Sequence, residues 1–123
     1  MTDNSTPENV EEMMDERTYT YPGFAEFLGA DTEYADRYDS LVEYVLRNDT
    51  EDFPRKTREL VAIAVTAVGG HVDPCSNHIE DARRYGATEE EIRGAIHVAG
   101  IFEGATTIVT GGAALDRAAH PEE

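Results

Sequence analysis

The stretch Glu59-Leu-Val-Ala-Ile-Ala-Val-Thr-Ala-Val-Gly-Gly-His-Val-Asp-Pro-Cys-Ser-Asn-His78 decides the fold. Its apolar run reads as helix rather than buried strand, because Arg55, Lys56, Arg58 and Glu59 merge into it without a break. Pro54 opens this helix and Gly69-Gly70 ends it. Asp73 as cap and Pro74 in the first turn then predict a second helix, running to Tyr85 and stopping at Gly86. Only the short Gly-Gly-His-Val turn separates the two, so they fold side by side as a hairpin.

Outward from the hairpin, every signal is helical. Thr88-Glu-Glu-Glu91 is a capping box that opens a helix to about Glu103, with Ile92, Ala95, Ile96, Ala99 and Phe102 on its apolar side. Gly104 to Ala119 is small and apolar and reads as a last helix suited to close contact, within the subunit or between subunits. Upstream, Asp31 or Thr32 caps a helix to about Arg47, with Tyr34, Tyr38, Leu41, Val42 and Val45 on one face. Thr18 to Gly29 reads as an aromatic connector (Tyr19, Tyr21, Phe24, Phe27), and Pro7 to Arg17 as a short acidic helix with Val10, Met13 and Met14 as its stripe. Residues 1–6 and 120–123 are expected to be disordered. The sum is one all-α domain of about six helices spanning 1–123.

Composition narrows the partners. The net charge is −16, and residues 1–54 carry fifteen acids against three bases. Such a surface repels nucleic-acid phosphates and anionic membranes. One lysine against nine arginines within this acidic coat suggests a high-salt cytoplasm, as in halophilic archaea, where screening weakens carboxylate repulsion. No apolar run reaches the ~18 residues of a membrane span, and the first residues have neither the basic region nor the apolar core of a secretory signal. The expected location is cytoplasmic. A lone cysteine excludes an internal disulfide and a four-cysteine zinc site.

That cysteine heads the candidate chemistry. Cys75 falls in a first helical turn, where unpaired N–H groups and the helix dipole favour a thiolate. His78 is three residues on, on the same face, and such a pair can exchange a proton. Glu59 arrives from the facing helix, where a carboxylate can hold the imidazole's tautomer or relay protons. His71, in the turn, can stand near Cys75. The plain alternatives are a small buried cysteine, a satisfied core histidine, and a surface Glu59 paired with Arg55 or Arg58. His97 reads as structural or interfacial. A metal site from His71, Cys75 and His78 matches no common zinc spacing, and neither a metal nor a cofactor is expected.

The run Arg58-Glu-Leu-Val-Ala-Ile-Ala-Val65, the Cys/His segment, and Ala82-x-x-x-Gly86-Ala-Thr-Glu-Glu-Glu-Ile92 together resemble the carboxymuconolactone decarboxylase family, over roughly residues 54–115. That family includes alkylhydroperoxidase D-like proteins. The resemblance implies an all-α bundle around a central helical hairpin, and homo-oligomers, commonly trimers or hexamers. It also implies an active site near the hairpin and close to a subunit boundary.

The family's peroxidase branch has a Glu on the first helix, a Cys-x-x-Cys pair, and a His four residues after the second Cys. Glu59 and His78 take the family Glu and His positions. His71 takes the first cysteine position and Pro74 the second, with Cys75 one residue later. A dithiol cycle is therefore closed to this chain. Peroxide reduction would stop at a sulfenic acid on Cys75 until an outside thiol resolved it. The resemblance thus implies a single-cysteine, alkylhydroperoxidase-like oxidoreductase using Glu59, Cys75, His78 and His71. The decarboxylase branch instead implies acid–base chemistry on a small carboxylated substrate, with Arg58 and Arg83 as candidate clamps. A non-catalytic oligomeric scaffold or ligand-binding protein is the third reading.

Overall fold

A computed structural model describes residues 22–122, and among them the secondary structure is entirely helical. Six α-helices follow in order: α1 (Pro22–Gly29), α2 (Thr32–Val42), α3 (Arg55–Val68), α4 (Val72–Arg84), α5 (Glu89–Glu103) and α6 (Ala105–Ala119). A π turn, Glu43–Arg47, continues α2. The described residues form two compact units that divide between Arg47 and Asn48. The expected helix from Pro7 to Arg17 lies outside the described residues, as do Tyr19 and Tyr21.

In the first unit, Asp31 caps α2 by accepting a hydrogen bond from the Tyr34 N–H at 3.1 Å. Phe27 packs edge-on against Tyr34, with ring centroids 5.8 Å apart. One expectation fails here. Part of the aromatic connector is a helix, α1, because Pro22 sits at its first position and needs no N–H partner there.

The second unit packs four helices around one core. Ile63, Ala67, Cys75, Ile79, Ala82, Ile92, Ile96, Ala114 and Ala118 supply it, drawn from all four helices at three- and four-residue spacing. α3 and α4 form the expected hairpin, and Gly70 turns the chain between them at φ 77°, where a Cβ would be strained. Pro54 flanks α3 but has no side-chain acceptor, so the Asp49 carboxylate takes over and accepts from the Arg55 N–H at 2.8 Å. The capping box of α5 forms as its sequence reads: Thr88 Oγ1 accepts from the Glu91 N–H at 3.0 Å, and Glu91 Oε1 accepts from the Thr88 N–H at 2.8 Å. α5 and α6 approach closely through glycine. A Cβ at Gly111 would stand 2.6 Å from Ile96 Cγ2, and one at Gly100 only 2.3 Å from Ile108 Cδ1.

The start of α4 differs from its sequence reading. The helix begins at Val72, with His71 as the flanking residue and no side-chain cap. Pro74 is still tolerated, since the early N–H groups of a helix have no intrahelical partner to lose. Asp73 is released from capping and pairs with Arg117 of α6. Cys75 thereby moves inward: its own N–H donates to the His71 carbonyl at 3.0 Å, the first bond of the helix.

Candidate active site

The buried face of α3 runs Arg55, Glu59, Ile63, Ala67, each one helical turn beyond the last. Its first half is charged and its second half apolar. α4 runs antiparallel beside it, so the charged half meets His78 and Tyr85 while the apolar half meets Cys75.

Glu59 is 0% exposed. Its Oε2 accepts from Arg55 Nε at 2.7 Å, and its Oε1 lies 2.8 Å from His78 Nδ1. Arg55 is itself buried; its Nη1 donates to the Tyr85 hydroxyl at 3.2 Å and its guanidinium stacks 4.6 Å from the Tyr85 ring centroid. A buried carboxylate needs countercharge and hydrogen bonds together, and Arg55 supplies both. When Glu59 is ionised and the imidazole neutral, the Nδ1–H of His78 donates to the carboxylate and Nε2 carries the lone pair. The His78 side chain is 18% exposed, so the imidazole is screened but still reachable.

Asp81 completes the polar end. Ligand atoms of Glu59, His78 and Asp81 lie within 4.8 Å of one another, a spacing at which a cation could be held. The Arg55 guanidinium on Glu59 opposes one electrostatically, and Asp81 is also engaged by Arg84. The metal set weighed from sequence, His71 with Cys75 and His78, is not the grouping this fold assembles.

Cys75 occupies a different setting. It is 0% exposed, in the core beside Ile63 and Ile79. Its Sγ contacts the Ile63 carbonyl oxygen at 3.6 Å. Burial pushes the thiol pKa up, and a hydrogen bond with the Thr66 hydroxyl only partly opposes that. This runs against the expected low-pKa thiolate: the Cys75 N–H is already bonded within the helix, and burial raises the thiol pKa. His71 is exposed and its ring lies over Gly69, where a Cβ would come within 2.7 Å of Cδ2.

Of the four residues singled out from sequence, the fold joins Glu59 to His78 by a direct hydrogen bond, while Cys75 contacts the Ile63 carbonyl in the core and His71 is exposed. The surface reading of Glu59 is overturned, although its partner is indeed Arg55. Both clamp candidates are engaged: Arg58 donates to the Phe53 carbonyl at 2.8 Å, and Arg83 grips Glu89 at 2.8 and 2.9 Å. Asp81 and Tyr85 were missed. The three-residue step from His78 to Asp81 was a usable signal; Tyr85 meets Arg55 across thirty positions of sequence and gave none.

These features define an all-α protein with a buried carboxylate–imidazole pair inside a helical hairpin. The chain belongs to the carboxymuconolactone decarboxylase family, whose match spans residues 32–117. No curated protein and no solved structure matches it.

Proposed function

We propose that the protein is an enzyme of proton transfer, a lyase-type catalyst of a small carboxylated substrate, with His78 as general base and acid. The observation that carries this reading is the 2.8 Å contact between His78 Nδ1 and a fully buried Glu59 that Arg55 neutralises. Glu59 fixes the ring and its tautomer, and Nε2 takes a proton from substrate and returns it. Family membership supports the substrate class. Cytoplasmic location and a trimer or hexamer belong to the same proposal. Exposed Val98, Ile101, Phe102 and Val109 support assembly, because they leave a broad apolar face on α5 and α6.

The alkylhydroperoxidase-like reading, with Cys75 as nucleophile, is the weaker one. Further subunits only cover surface, so assembly alone would not uncover a thiol already buried in one chain. A panel of small carboxylated lactones and keto acids, assayed for carbon dioxide release, separates the two, with peroxide turnover in the presence of thiols run alongside. Under the proposal, His78→Gln lowers decarboxylation by about a hundredfold or more, while Cys75→Ser leaves it within a few-fold. Peroxide turnover that Cys75→Ser abolishes, with no decarboxylation of any panel member, would overturn it.

A further inference from the structure

Asp81 belongs to the polar end, yet the general-base reading gives it no task. It lies three residues after His78 on α4, hence on the same helical face, and its side chain is only 10% exposed. One of its carboxylate oxygens stands within 4.8 Å of a ring nitrogen of His78 and of a Glu59 carboxylate oxygen. Acids are rarely buried without a partner, and an apolar residue would pack at lower cost, as Ile79 and Ala82 do on the same helix.

Arg84 engages Asp81, but that arginine is 55% exposed, and solvent screens a charge held there. The Arg55 guanidinium, by contrast, is buried with Glu59. With both carboxylates ionised, two buried negative charges face one buried positive charge, and the remainder is negative. The charged groups that pair across to α5 and α6 are matched within their own pairs: Glu89 with Arg83, Glu91 with Lys56, and Arg117 with Asp73. Tyr85 accepts from Arg55 through its neutral hydroxyl. The group left to answer the excess is the imidazole. When Nε2 takes a proton, the buried charge falls to zero. Without Asp81 the same proton would carry a neutral cluster to an uncompensated positive charge, which a poorly solvated site resists.

We infer that Asp81 is a positioning residue that acts through His78: Glu59 orients the ring, and Asp81 stabilises the imidazolium formed when Nε2 takes a proton from substrate. The inference rests on the general-base reading of His78 and adds the second carboxylate to it.

The test follows the His78 imidazole C–H signals by NMR through a pH titration of the full-length protein, at constant ionic strength and with a chelator present. His78→Gln assigns the signals. Asp81→Asn keeps the side-chain shape and removes the charge. Its His78 midpoint should fall by about one unit, because an opposite charge at this distance favours the charged form and Arg84 offsets part of that effect. Asp81→Glu should return most of the shift. Arg84→Gln, a change at an exposed side chain, should move the midpoint upward by roughly a few tenths of a unit. In each variant the acid limb of the decarboxylation profile should move with the His78 midpoint. An unchanged midpoint in Asp81→Asn or, where that variant does not fold, in Arg84→Gln, would overturn the inference and leave Asp81 as the holder of Arg84 alone. No decarboxylation together with a shifted midpoint defeats the lyase reading alone, whereas an unshifted midpoint in an active enzyme defeats only the role of Asp81.

Discussion

The two ends of the α3–α4 hairpin are built on the same buried faces and are chemically opposite. At the start of α3, Arg55 and Glu59 point inward and meet His78 and Tyr85 in one hydrogen-bonded cluster. Two turns further along, Ile63 and Ala67 occupy the same face and close over Cys75. Sequence alone grouped Glu59, Cys75 and His78 as one site. The packing joins Glu59 and His78 in a hydrogen-bonded polar cluster and buries the Cys75 thiol in the apolar core, which raises its pKa. A helix start does not by itself activate a cysteine. What surrounds the sulfur decides, and here the surroundings are Ile63, Ile79 and a backbone carbonyl.

The largest expected effect comes from breaking the polar end. Glu59→Ala leaves the buried Arg55 without its counter-ion, and unpairing one member of a buried ion pair costs about 3–5 kcal/mol. Urea unfolding should show that loss as a lower midpoint. The double variant Arg55→Met with Glu59→Leu should recover most of it, because two apolar side chains of similar volume carry no desolvation penalty. A single variant as stable as wild type would mean that the cluster is open to water and does not have the dry geometry described here.

How far each end was legible follows from the range of its contacts. The capping box at Thr88 and a cap at Asp31, one of the two residues read for it, rest on neighbours three residues apart, and both form; α3 is helical as read, but its buried face is Arg55, Glu59, Ile63 and Ala67, while Val61 and Val65 of its apolar run are exposed. The pairing of Glu59 with His78 was recoverable because a short turn forces α3 and α4 together. The environment of Cys75 was not, since it depends on where α4 begins. Asp73-Pro74 looks like a cap and first residue, but the partner that claims Asp73 is Arg117, forty-four positions away. Two residues of helix register then separate the exposed thiol expected from sequence and the buried one observed.

The apolar end predicts a smaller, pH-dependent effect. Burial raises the Cys75 pKa above that of the unfolded chain, so the native state binds the thiol proton more tightly. Below an unfolded value of about 8.5 both states keep that proton, and stability is undiminished. As pH rises above it, the unfolded chain releases the proton first, and stability falls by about 1.4 kcal/mol per unit until the folded pKa is reached. Unfolding midpoints at pH 7 and pH 9.5 should therefore diverge more in wild type than in Cys75→Ala. An identical pH dependence in the two proteins would place the thiol in water and erase the contrast between the ends of the hairpin.

The smallest effect tests what completes the polar end. Tyr85 is 46% exposed, so its ring and hydroxyl are partly bathed in solvent. Tyr85→Phe removes the hydroxyl that accepts from Arg55 Nη1 but keeps the ring beneath the guanidinium. A hydrogen bond at a site that water can reach contributes about 0.5–1.5 kcal/mol, and replacement by solvent brings the expected loss to the lower end. Tyr85→Ala removes the stacking as well and should cost about 0.5–1 kcal/mol more. If proton transfer depends on Arg55 holding Glu59 still, Tyr85→Ala should also alter the pH–rate profile of His78, while Tyr85→Phe leaves its shape unchanged. Equal stability and equal profiles in both variants would confine the polar cluster to Arg55, Glu59 and His78, with Tyr85 as no more than its solvent-facing neighbour.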